Sequence, residues 1–280
     1  MTTDRPDSSP LRAVLLGCGD LGTRVGTALH AKGVDVTGVR RTVTALPPHI
    51  RGVSADLAAG PVPDLPADLL VITMTPDRRD PGGYRTTYVD AVRHGLEAVL
   101  RAGTPRRAVL VSSTSVYEGL EGDLDETTDV APQSDRPRIL LESEALFHEA
   151  LPHGTVLRLS GLYGRPGGRL VQRVRDGENH DPGRWTNRVH REDAATSITH
   201  LLTMPETPAE LYVGTDDEPA SAGDVRGFVA DELGIARPAP TGVQTPTGRR
   251  MRNARLRAAG VELRYPTYRE GYREMLRAER

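Results

Sequence analysis

The sequence is poor in the residues that build disulfides and thiolate metal sites. Its 280 residues include one cysteine, Cys18, so an internal disulfide and a multi-thiolate metal site are both excluded. The eight histidines show no H-E-x-x-H spacing and the chain has no G-x-S-x-G pattern, which argues against a zinc protease and an α/β-hydrolase. We therefore expect no metal. A single thiol fits a reducing compartment, and we expect a cytoplasmic protein.

Lysine is almost absent, and long apolar runs are missing. Lys32 is the only lysine among 36 basic residues, and 38 acidic residues give a net charge of −2. This balance leaves no basic field for nucleic acid. No run approaches the roughly 20 apolar residues that span a bilayer. Residues 1–10 are polar and predict a disordered tail without a signal segment. A small-molecule substrate is the expected partner.

The most informative motif follows an apolar run at residues 13–16. Three glycines form the pattern G-x-G-x-x-G across residues 17–22, and helical periodicity follows. The first glycine permits a tight turn, the second lets the backbone approach a pyrophosphate, and the third lets the helix pack closely. Unpaired N–H groups at the helix start favour an anion. The residues predicted to bind a dinucleotide pyrophosphate are Gly17, Gly19, Asp20, Leu21 and Gly22.

The second apolar run, residues 34–39, ends in Arg40 and Arg41. A cofactor with a free ribose 2′-hydroxyl is usually held here by Asp or Glu, about 20 residues after the glycines. No carboxylate stands at this place. Guanidinium groups bind phosphate through forked, charge-assisted hydrogen bonds, so we predict NADP rather than NAD. The alternative is two solvated surface arginines.

Apolar runs alternate with helical patterns along the chain. This alternation predicts an α/β fold, a doubly wound parallel sheet of the Rossmann type with ligand at the carboxyl ends of its strands. We expect a nucleotide-binding domain at 11–164 and a smaller C-terminal substrate-facing lobe at 165–280, with some segments returning to the sheet. The predicted buried strands are residues 13–16, 34–39, 69–74, 108–112 and 156–159. Later predicted elements are a helix at 193–204, a strand at 211–213, a helix over 225–233, a loop at 238–248 and a helix from about 268.

From residue 12 to residue 276 the chain resembles the extended or atypical short-chain dehydrogenases/reductases, the NAD-dependent epimerase/dehydratase family. The segments that carry the resemblance are 17–22 (GCGDLG), 111–117 (VSSTSVY), 158–164 (RLSGLYG), 187–193 (NRVHRED) and Tyr265-Pro266. The resemblance implies that Asp56 faces adenine and that Thr73 and Met74 line the ribose side. It also implies that Ser112 and Ser113 lie beside the nicotinamide.

The chain departs from this family at its working pair, Tyr-x-x-x-Lys, whose spacing places both side chains on one helix face. Arg136 and Leu140 stand at the two places, and the only lysine, Lys32, belongs to the predicted first helix. Ser113 matches the family's catalytic serine or threonine. The remaining candidates for proton transfer are Tyr117 and His190. The alternatives are a packed aromatic at Tyr117 and a structural histidine at 190.

The sequence leaves three functions open. The first is an NADP(H)-dependent oxidoreductase that moves hydride to or from a small carbonyl, imine or alkene carbon. The second is a non-catalytic NADP-binding sensor or partner-binding protein, and the third is an epimerase. The family also implies a homodimer through helices that begin near Tyr84 and Arg136. Val89 supports that expectation because it lies off the predicted core-facing stripe.

Overall fold

The computed structural model describes residues 10–239 and 245–279. The predicted N-terminal tail lies outside the described residues except for Pro10. Five residues of the loop predicted at 238–248, residues 240–244, also lie outside them.

A seven-stranded sheet forms the framework. Its strand order is β3-β2-β1-β4-β5-β7-β11, and the pairs β1–β2, β1–β4, β2–β3 and β4–β5 are parallel. These strands are β1 (Arg12–Leu16), β2 (Asp35–Arg40), β3 (Ile50–Ser54), β4 (Leu69–Ile72), β5 (Arg107–Ser113), β7 (Thr155–Leu159) and β11 (Leu211–Gly214). The predicted α/β fold with a doubly wound parallel sheet is confirmed.

Short strands pair outside this sheet as β6–β13, β8–β10 and β9–β12. They are β6 (Gly122–Leu124), β8 (Gly161–Tyr163), β9 (Trp185–Thr186), β10 (Arg188–His190), β12 (Ala220–Ser221) and β13 (Arg249–Met251). The helices of the described residues are α1 (Asp20–His30), α2 (Pro81–Arg85), α3 (Ala91–Ala102), α4 (Asp135–Ala150), α5 (Arg169–Arg175), α6 (Arg191–Thr203), α7 (Ala222–Leu233), α8 (Ala254–Ala258) and α9 (Tyr268–Arg277).

The five strands predicted from apolar runs are all present. The clearest is β4, whose four consecutive apolar residues suit a strand buried on both faces. The prediction that Lys32 belongs to the first helix is wrong, because α1 ends at His30 and Lys32 follows it in an exposed turn. Between α2 and α3 the backbone makes one π-helical turn, Thr86–Asp90. Such a turn carries one residue more than an α-helical turn and is frequent at functional sites.

The chain divides into two compact units, each built from several segments. In the described residues the first unit contains 10–112, 134–156 and 198–210, and the second contains 113–133, 157–197, 211–239 and 245–279. The first unit holds β1–β4 and α1–α4. The second unit has its own core, in which apolar side chains of α5, α7 and α9 pack together. The domain boundary at residue 164 stays a prediction.

The sequence-based reason for a dimer is wrong in one respect. Val89 is only 2% exposed, so its side chain is buried within the chain itself rather than offered to a second copy. The two helices named for the interface do pack together in the first unit, where Arg85 and Glu142 form a bidentate ion pair with N–O distances of 2.7 and 2.6 Å. The dimer stays a prediction. Among the described residues, no helix is both long and apolar enough to cross a bilayer.

Candidate functional site

The glycine turn after β1 is a tight backbone bend. Gly17 has φ +76°, and a Cβ there would lie 2.7 Å from Met74 Sδ, so only glycine fits without strain. The N–H groups of Gly17 and Cys18 both donate to the carbonyl of Val39, at 3.1 Å each. These bonds tie the turn to the end of β2. The end of β4 is tied in as well, because Thr73 Oγ1 donates to the Gly17 carbonyl at 3.0 Å.

The second and third glycines meet different surroundings. A Cβ on Gly22 would lie 3.0 Å from Thr73 Oγ1, so this glycine lets α1 approach β4 closely. A Cβ on Gly19 would meet only the Gly17 carbonyl, at 3.9 Å, so the space beside Gly19 is open. Gly19 is also the N-cap of α1 and brings no side chain to cap the first N–H groups of the helix. This arrangement fits a phosphate group against the helix start.

A cavity of about 470 Å³ lies in the first unit, at the carboxyl ends of β1, β2 and β4. Seven of the eleven residues predicted to bind cofactor line it: Gly17, Gly19, Arg40, Arg41, Asp56, Thr73 and Met74. The other four, Asp20, Leu21, Gly22 and Ser112, do not line it. The cavity is therefore lined by both the glycine turn and the two arginines, the two features from which dinucleotide binding was predicted.

Two of the three arginines that line this cavity form ion pairs. Arg41 forms a bidentate ion pair with Asp77, with Nη–Oδ distances of 2.5 and 2.8 Å. The hydrogen bonds from Arg41 lower the pKa of Asp77. Arg40 donates from Nη1 to the Cys18 carbonyl at 3.2 Å, so it lies against the glycine turn. On the same wall, Arg78 pairs with Asp80 at 2.9 Å.

Twelve of the nineteen lining residues were missed by the sequence reasoning, and they include polar residues of the segment that follows β4. Asp77 lies in the loop after β4, and Thr86 and Thr87 lie in the π-helical turn. Position after the carboxyl end of a parallel strand was a usable signal for Asp77. For the two threonines we find no signal in the sequence, since the α-helical pattern of the segment does not show the wide turn.

Ser112, at the end of β5, has a specific partner on α4. Its hydroxyl donates to Glu144 Oε1 at 2.5 Å, and both side chains are buried. One buried carboxylate oxygen is therefore satisfied by a neutral donor. On the same helix, Arg136 lies over the ring of Tyr84 at 5.5 Å and Leu140 is buried.

The residues predicted for catalysis belong to the second unit. The half-buried Ser113 accepts the Ser115 N–H at 3.1 Å and begins a 3₁₀ turn. Tyr117 is fully buried, where its hydroxyl donates to the Asp125 carbonyl at 2.8 Å and accepts from Arg158 at 3.0 Å. These contacts favour the packing interpretation of Tyr117.

His190 is also buried, at 4% exposure. Its Nδ1 accepts the N–H of Glu192 at 3.3 Å, and its ring lies 4.0 Å from that of Tyr265. An imidazole held by a backbone donor and an aromatic ring is typical of a structural histidine. The geometry therefore favours the structural interpretation, and the catalytic role stays a prediction.

Known proteins share both sequence and fold with this chain. Protein YeeZ of Escherichia coli K12 is 33% identical over 213 residues, which are 70% of this chain and 74% of YeeZ. A Methylobacillus flagellatus structure assigned to the NAD-dependent epimerases/dehydratases is also 33% identical, with a TM-score of 0.82 over 96% of this chain and 99% of that one. The chain belongs to the NAD-dependent epimerase/dehydratase family.

A solved structure of lower sequence identity shares the fold. A UDP-glucuronic acid 4-epimerase from Bacillus cereus, in complex with NAD, superposes with a TM-score of 0.80 over 96% of this chain and all of the other. Its identity is only 16%, so this likeness concerns the fold alone. No family model matches the chain. Family membership makes a nicotinamide dinucleotide the expected ligand of the cavity.

Proposed function

We propose that this epimerase/dehydratase family member is an NADP(H)-dependent oxidoreductase of the atypical short-chain type. Hydride would pass between the nicotinamide and a small carbonyl, imine or alkene carbon. One observation carries the proposal, namely the 470 Å³ cavity that is lined both by the open glycine turn and by Arg40 and Arg41. A glycine turn suits the pyrophosphate, and guanidinium groups suit a ribose 2′-phosphate.

Different residues of the cavity would bind different parts of the cofactor. The N–H groups at the start of α1 would meet the pyrophosphate, and Gly19 leaves room for it. Asp56 lines the same cavity and, by family resemblance, would face adenine. When bound, the cofactor supplies the hydride chemistry, and the protein supplies orientation. Ser113 is proposed to polarise the reacting group through its hydroxyl.

Cofactor titration tests this proposal. NADPH is expected to bind more tightly than NADH, and Arg40→Ala should weaken NADPH binding by about 1.5–3 kcal/mol, since it removes a charge-assisted hydrogen bond. Arg51→Ala is the matched control, because Arg51 is an exposed arginine on neighbouring β3 that does not line the cavity. Equal binding of NADH, or an Arg40→Ala variant that keeps the wild-type preference, would show that the NADP assignment is wrong.

A non-catalytic NADP-binding sensor is the second candidate. The observation that favours it is the replacement of the family's Tyr-x-x-x-Lys pair by Arg136 and Leu140, in a chain whose only lysine is Lys32. A screen of small carbonyl, imine and conjugated alkene substrates with NADPH separates the two functions. Firm NADPH binding without turnover of any substrate would favour the sensor.

A further inference from the structure

The Asp77 carboxylate is bound to Arg41, one of the two guanidinium groups predicted to bind the 2′-phosphate of NADP. Both residues line the same cavity, and two parallel hydrogen bonds of 2.5 and 2.8 Å join the guanidinium to the carboxylate. This forked geometry is the one that Arg also uses to bind phosphate. A 2′-phosphate and the Asp77 carboxylate therefore compete for the same donor groups.

We propose that Asp77 is a specificity-determining residue that limits the preference of the cavity for NADPH over NADH by competing with the 2′-phosphate for Arg41. This inference rests on the proposed binding of NADP. NADH has no 2′-phosphate, so it binds without displacing Asp77. The ion pair thus weakens the binding of NADPH and leaves the binding of NADH unaffected.

Exposure of the pair decides how large the effect is. The side chains of Arg41 and Asp77 are 60% and 65% exposed, so water screens their attraction. Exposed pairs of this kind alter binding equilibria by about two- to fivefold. A phosphate with nearly two negative charges can displace one carboxylate at this cost. Asp77 therefore reduces the NADPH preference without abolishing it.

The ion pair between Arg41 and Asp77 joins two loops that line the cavity. Asp77 follows β4, whereas Arg41 follows β2, so the ion pair joins two loops across the cavity wall. Asp80, three residues after Asp77, pairs with Arg78 and caps α2 by accepting the Gly83 N–H at 2.9 Å. Asp80 is thus already committed to its own helix, and Asp77 is the carboxylate of this loop that reaches Arg41.

The test is a titration of NADPH and NADH against wild type, Asp77→Asn, Arg41→Ala and the double variant. Asp77→Asn should tighten NADPH binding about two- to fivefold and change NADH binding by less than about 1.5-fold. In the Arg41→Ala background the same substitution should have less than half of this effect. Asp64→Asn is the matched control, because Asp64 forms a similarly exposed pair with Arg101 and does not line the cavity.

The outcomes separate this inference from the proposed function. If wild type prefers NADPH and Asp77→Asn leaves the NADPH/NADH ratio unchanged, the role of Asp77 is refuted while the NADP assignment stands. If wild type prefers NADH but Asp77→Asn still shifts the ratio toward NADPH through Arg41, the assignment fails and the role of Asp77 stands. If Asp77→Asn has the same effect in the presence and absence of Arg41, the role of Asp77 is refuted. A protein that binds neither cofactor would refute that role as well.

Discussion

Substitution of the first two glycines of the turn by valine should separate binding from folding. At Gly19 a new Cβ would meet only the Gly17 carbonyl, at 3.9 Å, so the folded chain has room for it. The cost to stability is the poorer N-cap, about 1 kcal/mol. For a chain of this size that lowers Tm by about 2–4 °C.

Gly17→Val has the opposite expectation. Its φ of +76° costs an L-residue about 1–2 kcal/mol, and the Cβ at 2.7 Å from Met74 Sδ adds about 1–3 kcal/mol of overpacking. The sum of about 2–5 kcal/mol should lower Tm on the order of 10 °C. This variant measures what a misplaced side chain costs the fold at the same turn.

Cofactor binding should rank the variants differently from Tm. Gly19→Val puts a branched side chain in the space open to the pyrophosphate and should weaken NADPH binding by at least about 100-fold, with a circular dichroism spectrum close to wild type. Gly19→Ala is the control, because it shares the weaker N-cap but adds only one carbon, and it should bind more tightly than the valine variant. If Gly19→Val still binds, and NADPH still raises its Tm as in wild type, the glycine turn is not a phosphate site.

Three further outcomes are expected. Burial raises the pKa of Asp216 to about 8. The folded chain therefore keeps a proton on this carboxyl that the unfolded chain releases near pH 4. The free energy of unfolding should fall as pH rises from about 4 to 8, because release of this proton favours the unfolded state. Denaturant titrations of Asp216→Asn should lack this fall, and an identical pH profile would contradict the reasoning. Ser113→Ala should cost about 2–4 kcal/mol of transition-state stabilisation on a confirmed substrate. If Ser113→Ala, Tyr117→Phe and His190→Ala all turn over that substrate at the wild-type rate, the catalytic site lies elsewhere. Light scattering should give a dimer mass of about 60 kDa, and a mass near the chain's own 30.3 kDa would count against the dimer.

The sequence predicts the buried strands well and the edges of the sheet poorly. Strands such as β4, with four consecutive buried apolar residues, carry their own signal. The edge strand β3 does not, since Arg51, Gly52 and Ser54 are exposed and interrupt the apolar pattern. The strand predicted at 211–213 is present as β11, but its place at the other edge of the sheet depends on pairing between distant segments, which periodicity cannot show.

The cofactor cavity was predicted in part for similar reasons. The glycine turn follows β1 directly and Arg40 is the last residue of β2, so their place at the carboxyl ends of the strands comes from strand order alone. Asp77 lies 36 residues after Arg41, and their pairing depends on the path of a loop. Local sequence reports which residue types are present in such a loop, but not which of them meet across it.

The π-helical turn Thr86–Asp90 sets the phase of the helix around it. An α-helix turns about 100° per residue, so one extra residue rotates everything before it by about that angle relative to α3. Gly83, Thr86 and Thr87 face the cavity with this phase, whereas the buried face of α3 is fixed after the turn. Deleting one residue here should swing these groups off the cavity wall and leave the sheet contacts of α3 in place. Chain length, rather than side-chain identity, thus selects which surface the helix presents to the ligand.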